Sequence, residues 1–327
     1  MKRRKMLLMF LLITGCIFLS SNVFAAWTQA KGHAYNQLTL SYFKTTSKMT
    51  TLVTEEGTVV RTDASARKNE EEEFTATKLS YYGEYGLLNN LTVILSGGWD
   101  YLRSNDILDN TTGRDSASGV GDIIFGVRQK ISDNLGGGIL MSVQADLKIP
   151  EAYDYENPVT HQNLGDGQYD LAVNLLFGRG FNWGYAVLAT GYKFRFENDQ
   201  LDPYTFKPSD QFNFSLSGGY NATSWLSIRG KLDWNKTIGN ARVSSDFVDF
   251  ASCCGINRSN GKAVMILDTL GLEQSTVSAG VSLAINITPK TQTVISYNID
   301  LQGFGDVFIT ENASLGETIS IAFVYMM

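Results

Sequence analysis

The chain has 327 residues and an acidic balance, with 33 acidic residues against 27 basic ones. An acidic protein lacks the basic footprint that nucleic-acid binding requires, so the composition argues against that class of partner. Beyond residue 25 no apolar run is long enough for a membrane helix, which leaves a soluble fold or a closed β-barrel.

The N-terminus has the layout of a secretory signal peptide. Basic residues 2–5 precede a short apolar stretch, 6–15, and small residues at 23 and 25 provide a cleavage pattern before Ala26. We therefore predict a signal peptide over 1–25 and a single barrel domain over 26–327. Removal of the signal peptide leaves 23 basic residues against 33 acidic ones.

The three cysteines leave two questions open. Cys16 ends an Ile-Thr-Gly-Cys sequence that resembles a lipobox, so lipidation of Cys16 is an alternative to cleavage after residue 25. Cys253 and Cys254 are adjacent in a polar stretch, where a vicinal disulfide and two free thiols are both compatible with the sequence. So few cysteines do not make a disulfide-based scaffold.

After residue 34, apolar and polar residues alternate with a period of two, which is typical of strands. In 225–236, for example, Ile228 and Leu232 alternate with Arg229 and Lys231. About twelve segments share the pattern: 35–44, 74–86, 91–102, 119–131, 137–149, 168–178, 183–196, 211–220, 225–236, 274–287, 292–302 and 317–327.

The connections between these segments alternate between short and long. The short ones are 87–90, 132–136, 179–182, 221–224 and 288–291, and the long ones are 45–73, 103–118, 150–167, 197–210, 237–273 and 303–316. Bacterial outer-membrane barrels have an even strand number, short periplasmic turns and long outer loops. We therefore predict an all-β transmembrane antiparallel barrel of about 12 strands, whereas a soluble β-sandwich would not require alternating loop lengths.

In such a barrel the apolar side chains face lipid and the polar ones face the lumen. The predicted lumen-lining residues are Asp122, Arg128, Lys130, Gln144, Asp146, Lys148, Asp170, Lys193, Arg195, Arg229, Lys231, Asp233 and Asp300. These charges either pair with one another and fill the barrel, or form a mixed lining that selects small solutes. The two interpretations are compatible, because paired charges can still border a path.

Other polar features give weaker indications. The acidic run 70–73 is either a solvated strand end or a site where divalent cations bridge to lipopolysaccharide. The two histidines, His33 and His161, lie outside the predicted strands and away from a nucleophile, so we expect no catalytic residues. No metal-ligand spacing is present, and the sequence indicates no cofactor.

Three motifs carry a family resemblance: Gly119-Val120-Gly121-Asp122 opening a strand, a strand ending in Leu147-Lys148-Ile149-Pro150, and Leu164-Gly165-Asp166-Gly167-Gln168-Tyr169-Asp170 opening the next. Together they resemble the phenol-degradation MetA-pathway barrels, which are related to outer-membrane transporters of fatty acids and aromatic hydrocarbons. Unlike the fatty-acid transporters, this chain has only residues 26–34 before its first strand. We therefore expect any plug to come from loop 45–73 or 237–273.

The resemblance implies an outer-membrane channel for passive uptake of small molecules, with apolar or aromatic solutes as candidates. The alternative is a non-conducting barrel that displays loops for adhesion, polysaccharide export or envelope maintenance. Expected partners are outer-membrane lipid, lipopolysaccharide, a small solute, and the barrel-assembly machinery. The last of these would recognise the C-terminal strand, although it ends in Met327 rather than the usual Phe.

Overall fold

The computed structural model describes residues 26–50, 52–55, 58–61, 67–104, 116–156, 161–247, 270–304 and 307–327. Signal peptide 1–25 and all three cysteines, Cys16, Cys253 and Cys254, lie outside the described residues. Within the described ranges, no helix is long and apolar enough to cross a membrane.

Strands dominate the described chain, and thirteen of them form one antiparallel sheet. The sheet consists of β1 (Ala34–Thr50), β4 (Arg67–Leu88), β5 (Leu91–Ser104), β6 (Ser116–Val120), β7 (Ile123–Ser132), β8 (Leu140–Ile149), β9 (Asp170–Phe181), β10 (Gly184–Arg195), β12 (Asp210–Asn221), β13 (Leu226–Ile238), β15 (Thr276–Thr288), β16 (Thr291–Leu301) and β19 (Ala313–Met326). Three short antiparallel pairs lie in the outer connections: β2 (Leu52–Glu55) with β3 (Thr58–Arg61), β11 (Phe206–Lys207) with β14 (Arg242–Val243), and β17 (Gly303–Phe304) with β18 (Phe308–Ile309).

The sheet closes into a barrel because β1 pairs with β4 on one side and with the last strand, β19, on the other. Leu40, for example, lies opposite Leu79 of β4 and Ile321 of β19. β6 and β7 both pair with β5 and are successive pieces of one barrel strand, so the barrel has twelve strands, as predicted.

The distribution of side chains is the reverse of that in a soluble protein. Leu40, Ile319 and Ile321 point outward and are 50%, 60% and 50% exposed, whereas the inward Thr92 and Ser142 are fully buried. Exposure of such a continuous apolar surface to water would be energetically unfavourable. The outer surface therefore contacts membrane lipid, and the fold is that of an outer-membrane β-barrel. A soluble β-sandwich is excluded.

Aromatic side chains lie on the exterior near both ends of the strands. Trp183, Tyr220 and Trp225 are exposed beside the short turns, and Trp99 and Tyr101 are exposed towards the long loops. Such aromatic girdles mark the two membrane–water interfaces of outer-membrane barrels. By the same rule the short turns face the periplasm, and we refer to the two ends as periplasmic and outer.

Two expectations about the strands require correction. The predicted strand 119–131 is interrupted at Gly121 and Asp122, where the backbone N–H of Gly121 donates to the carbonyl of Gly98. The predicted loop 45–73 is largely strand, because β1 and β4 continue beyond the other strands and pair up to Thr50 and Arg67. Alternation of apolar residues does not reveal this extension, since both faces are polar there.

Candidate site in the barrel lumen

At the outer end of the lumen lies a cavity of about 370 Å³, here called the outer chamber. Its wall includes Tyr155, Phe206 and Leu272, which pack with the fully buried Phe247 in one apolar cluster. The side chain of Gln168 also lines the chamber, is 1% exposed, and has a side-chain oxygen without a hydrogen-bond partner. The outer chamber therefore combines aromatic walls with a free hydrogen-bond acceptor.

Residues 161–168, here called the inward loop, form the floor of the outer chamber. The loop depends on two glycines: a Cβ atom at Gly165 would lie 2.3 Å from the Tyr153 hydroxyl, and Gly167 has a φ of +71°. Burial, together with the neighbouring carboxylate of Asp122, raises the pKa of Tyr153, so its hydroxyl stays protonated. It donates to Asp122 over 2.7 Å and accepts from the Gly167 N–H over 3.0 Å, which fixes the loop inside the barrel.

The inward loop places Asp166 in a layer of ion pairs, here called the ionic layer. The Lys148 Nζ lies 2.9 Å from Asp166, 3.1 Å from Asp170 and 3.5 Å from Asp122. Arg195 reaches the carboxylates of Asp166 and Asp170 at 3.3 and 3.8 Å. Desolvation raises the pKa of Asp166, but the charges of Lys148 and Arg195 outweigh it and hold that pKa well below its usual range.

Below the ionic layer lies a second cavity of about 240 Å³, here called the inner chamber. Its polar wall includes Asp146, Lys193 and Asp233, and it shares Lys148 and Asp170 with the ionic layer. Apolar residues also line it, among them Ile94, Ile124, Ala172 and Ala189. The two chambers thus lie on opposite sides of the inward loop.

The inner chamber ends towards the periplasm at a buried ion pair. Arg128 is fully buried, and its Nη1 lies 3.0 Å from Oε1 of Glu84, which also accepts from the Tyr82 hydroxyl over 2.6 Å. The Arg128 Nε donates to the Gln144 side-chain oxygen over 2.7 Å. A buried pair with this many hydrogen bonds is strongly damaged by removal of either charge.

Residues 26–33, here called the N-terminal segment, fold into the periplasmic end of the lumen. Ala26 is fully buried against inward-facing residues of the barrel wall, among them Leu176 and Val187. The carbonyl of Trp27 accepts from Arg128 over 3.0 Å, and the backbone N–H of Gln29 donates to the Thr92 hydroxyl over 2.8 Å. The sequence prediction placed any plug in loop 45–73 or 237–273, whereas within the described chain the N-terminal segment occupies the periplasmic end of the lumen.

The described parts of loop 237–273 lie at the outer end instead. Phe247 packs on Phe206, and the carbonyl of Leu272 accepts from both the backbone N–H and the hydroxyl of Ser209. This part of the loop supports the wall of the outer chamber. Residues 248–269 lie outside the described chain.

The remaining predicted lumen residues are spread along the barrel. Lys130 pairs with Asp133 over 2.7 Å beside a periplasmic turn, and Lys231 pairs with Asp233 over 2.8 Å. Two others make uncharged contacts: Arg229 donates to Gln292 over 2.7 Å, and Asp300 accepts from the Gly316 N–H over 3.1 Å. The structure thus brings together Asp122, Lys148, Asp170, Lys193 and Arg195, while Lys130, Arg229 and Asp300 lie apart from them.

Sequence reasoning missed two central residues, Glu84 and Asp166. Glu84 lies in a stretch with tyrosines on both faces, which obscures the inward row, although its two-residue spacing from Tyr82 was a usable signal. Asp166 belongs to a loop, where no period indicates direction. Only its position between two glycines hints at a backbone that packs too closely for side chains.

The two histidines lie at opposite ends of the molecule. The His33 Nδ1 is 2.9 Å from the carbonyl of Met327, and the His161 Nε2 is 3.2 Å from a Glu156 carboxylate oxygen. In the acidic run 70–73, Glu73 forms an ion pair with Lys44, and the other side chains lie outside what is described. Across the described ranges, no cluster of three or more metal-ligating side chains occurs.

Solved structures provide three comparisons. An outer membrane channel from Pseudomonas putida F1 superposes with a TM-score of 0.64 at 14% identity, covering 94% of this chain and 100% of that one. The NanC porin gives a TM-score of 0.45 at 9% identity over 88% and 98% of the two chains. The CymD monoaromatic hydrocarbon channel gives 0.36 at 11% identity over 91% and 88%. At these identities the comparisons concern the fold.

No curated protein matches the sequence. A family model does match, over residues 50–305, and its description is "Putative MetA-pathway of phenol degradation". The match includes the motifs around Gly121, Lys148 and Asp166 and extends over most of the barrel. With its twelve-stranded outer-membrane barrel, the chain belongs to the phenol-degradation MetA-pathway family.

Proposed function

We propose that the protein is an outer-membrane channel through which small molecules, single-ring aromatic ones among them, diffuse passively. The observation that carries the proposal is the series of two chambers inside a closed barrel, separated by the inward loop with Asp166. The family description and the names of the Pseudomonas putida and CymD channels support it.

The route begins in the outer chamber, where Tyr155 and Phe206 provide flat apolar contacts for a ring. A solute then passes the ionic layer, whose Asp166 side chain is 57% exposed and reaches Lys148 from a loop rather than from a strand. From the inner chamber it leaves to the periplasm when the N-terminal segment moves away from the wall. Motion of the inward loop and of the N-terminal segment widens this route, and the barrel itself stays closed.

Purified full-length protein in planar bilayers and in liposomes tests the proposal. We expect a small single-channel conductance, and faster entry of phenol into protein-containing liposomes than into protein-free ones. A variant that displaces the N-terminal segment should increase both. Absence of current and of facilitated phenol entry, in the wild type and in that variant, would reject the channel.

A second candidate function is a non-conducting barrel that displays its outer loops. It is favoured by the buried Arg128–Glu84 pair and the N-terminal segment, which together close the periplasmic end. Deletion of residues 248–269 would then abolish a surface phenotype such as adhesion without changing permeability. The channel proposal instead expects that this deletion changes permeability and leaves the surface phenotype intact.

The remaining roles belong to the same proposal. Export uses the signal peptide over 1–25, and barrel assembly uses the C-terminal strand β19, whose Ile319, Ile321 and Phe323 face outward. The outer wall of the barrel contacts outer-membrane lipid and lipopolysaccharide. The protein acts without catalysis and without a nucleic-acid partner.

A further inference from the structure

The wall of the inner chamber contains an opposed pair of charges that do not touch. Asp146 of β8 and Lys193 of β10 both lie in register with Ala172 of the strand between them. Since neighbouring strands are about 4.8 Å apart, the Cα atoms of the two charged residues are separated by about 10 Å. The small side chain of Ala172 leaves a hollow between them.

Lys193 differs from its neighbours in lacking a close carboxylate. Lys148 has three carboxylate partners and Arg195 has two. Among the described residues, no carboxylate oxygen lies within 4.0 Å of the Lys193 ammonium, although the side chain lines the inner chamber. A partly buried ammonium without a close partner favours a ligand that brings a negative charge.

On the other side of the hollow, Asp146 has spare capacity to accept hydrogen bonds. Both of its oxygens accept from the Gln144 side-chain amide, over 2.9 and 2.7 Å. A carboxylate can accept about four hydrogen bonds, so roughly two positions stay free. This side therefore favours a ligand group that donates a hydrogen bond.

Ala172 lies between the two polar sides, and other parts of the chamber lining are also apolar. Ile94 and Ala189, which are 3% and 4% exposed, line the chamber with Ala172 and Ile124. A cavity of about 240 Å³ accommodates one ring with small substituents but not an extended chain. Apolar walls with a few convergent polar groups are typical of small-molecule sites.

We propose that the inner chamber binds a small aromatic monocarboxylate that also carries a hydroxyl group. Its carboxylate contacts the Lys193 ammonium, its hydroxyl donates towards Asp146, and its ring lies over Ala172. This inference deepens the proposed channel function by naming a solute class and the two residues that select it. The inner chamber would then bind the solute during its passage, and would not be merely a wider part of the channel.

Isothermal titration calorimetry on the full-length protein in detergent, with four matched probes, tests the site. The probes are 4-hydroxybenzoate, benzoate, phenol and toluene, which carry both groups, the acid alone, the hydroxyl alone and neither. We expect 4-hydroxybenzoate to bind most tightly. Lys193→Met should weaken the binding of both acids by about tenfold or more, because a charge-assisted hydrogen bond is lost. The affinity for phenol should stay unchanged. Asp146→Asn should weaken the binding of only the two hydroxylated probes, 4-hydroxybenzoate and phenol.

Lys130→Met is the matched control, because Lys130 pairs with Asp133 at the periplasmic end and does not line the chamber. A heat-shift gel establishes that each variant is folded. Equal affinity for all four probes, or unchanged acid binding in a folded Lys193→Met variant, overturns the inference. Liposome flux separates the two proposals: binding without flux refutes the channel alone, and flux without selective binding refutes the site alone.

Discussion

The two ends of the lumen are closed in physically different ways. At the periplasmic end, the Arg128 and Glu84 side chains are 0% and 3% exposed, and in the N-terminal segment the Trp27 carbonyl accepts from Arg128 and the Gln29 side-chain amide donates to Glu84. At the outer end, the inward loop is held by Asp166, whose side chain is 57% exposed. The ion pairs of Asp166 thus have one exposed partner, since Lys148 and Arg195 are 13% and 8% exposed, whereas both partners of the periplasmic pair are buried and costly to separate.

The difference indicates a division of roles between the two closures. The outer one consists of a few contacts on one loop, whose Asp166 carboxylate is exposed, so we expect it to open more readily. The periplasmic one is built from buried groups that support one another, so it also stabilises the barrel.

Arg128→Met should cause the largest loss of stability. The variant leaves Glu84 buried without its charge partner, which costs about 3–5 kcal/mol. Denaturant unfolding in detergent micelles measures the effect. The double variant Arg128→Met with Glu84→Gln should recover part of the loss, because no uncompensated charge remains. A single variant as stable as the wild type would show that the periplasmic closure is not built on this pair.

Gly178→Val should open the periplasmic end without touching a charge. A Cβ atom at Gly178 would lie 2.6 Å from the Ala26 Cβ and 3.2 Å from the Trp27 ring, so the N-terminal segment must move away. We expect a severalfold higher single-channel conductance. Gly180→Val is the control on the same strand, because a Cβ atom there meets nothing within 4 Å. Equal conductance of the two variants would contradict a plug formed by this segment.

Asp166→Asn should have a smaller effect at the outer end. The substitution removes the ion pairs to Lys148 and Arg195 but keeps the loop glycines. We expect more frequent open events at unchanged maximal conductance, and a shift of ion selectivity towards anions because one negative charge is lost. Planar-bilayer recordings with a salt gradient measure both. The loss of unfolding stability should be smaller than in Arg128→Met.

Mild acid should have no effect on the outer closure. The pKa of Asp166 lies below its usual range, so the folded protein keeps the carboxylate charged where a free Asp, with a pKa of about 3.9, begins to protonate. The stabilisation is present above that value and is lost only as the pH falls through the lower folded pKa. Conductance should therefore be the same between about pH 7 and pH 5. An acid-induced increase in the wild type that is absent in Asp166→Asn would contradict this.

The architecture could be predicted because it rests on a repeated local pattern. Alternation in stretches such as β13 and β16 specifies which face meets lipid, and twelve such stretches specify the barrel. The break at Gly121 could not be found this way, since Val120 and Ile123 continue an apolar run across it. The lengths of β1 and β4 beyond the membrane were also hidden, because polar residues lie on both faces there.

The site was predictable only in part, for a related reason. Periodicity places Arg128, Lys148 and Lys193 on the inner face, but it does not say which charges meet, because register between strands depends on the whole barrel. The N-terminal segment is short and has no period of its own. Its partners lie on distant strands, so nothing in the segment itself indicates where it binds.

The position of the N-terminal segment has a consequence for assembly. Its contacts with the wall, such as those of Gln29 with β5 and of Trp27 with β7, involve strands that come well before β12 in the chain. Ala26 and Trp27 also pack on β10, and apart from the contact of His33 with Met327 these partners lie on β4 to β10. The segment can therefore settle on a half-finished, still open sheet. Pairing of β1 with β19 then encloses it, and no chain end has to thread through a completed pore.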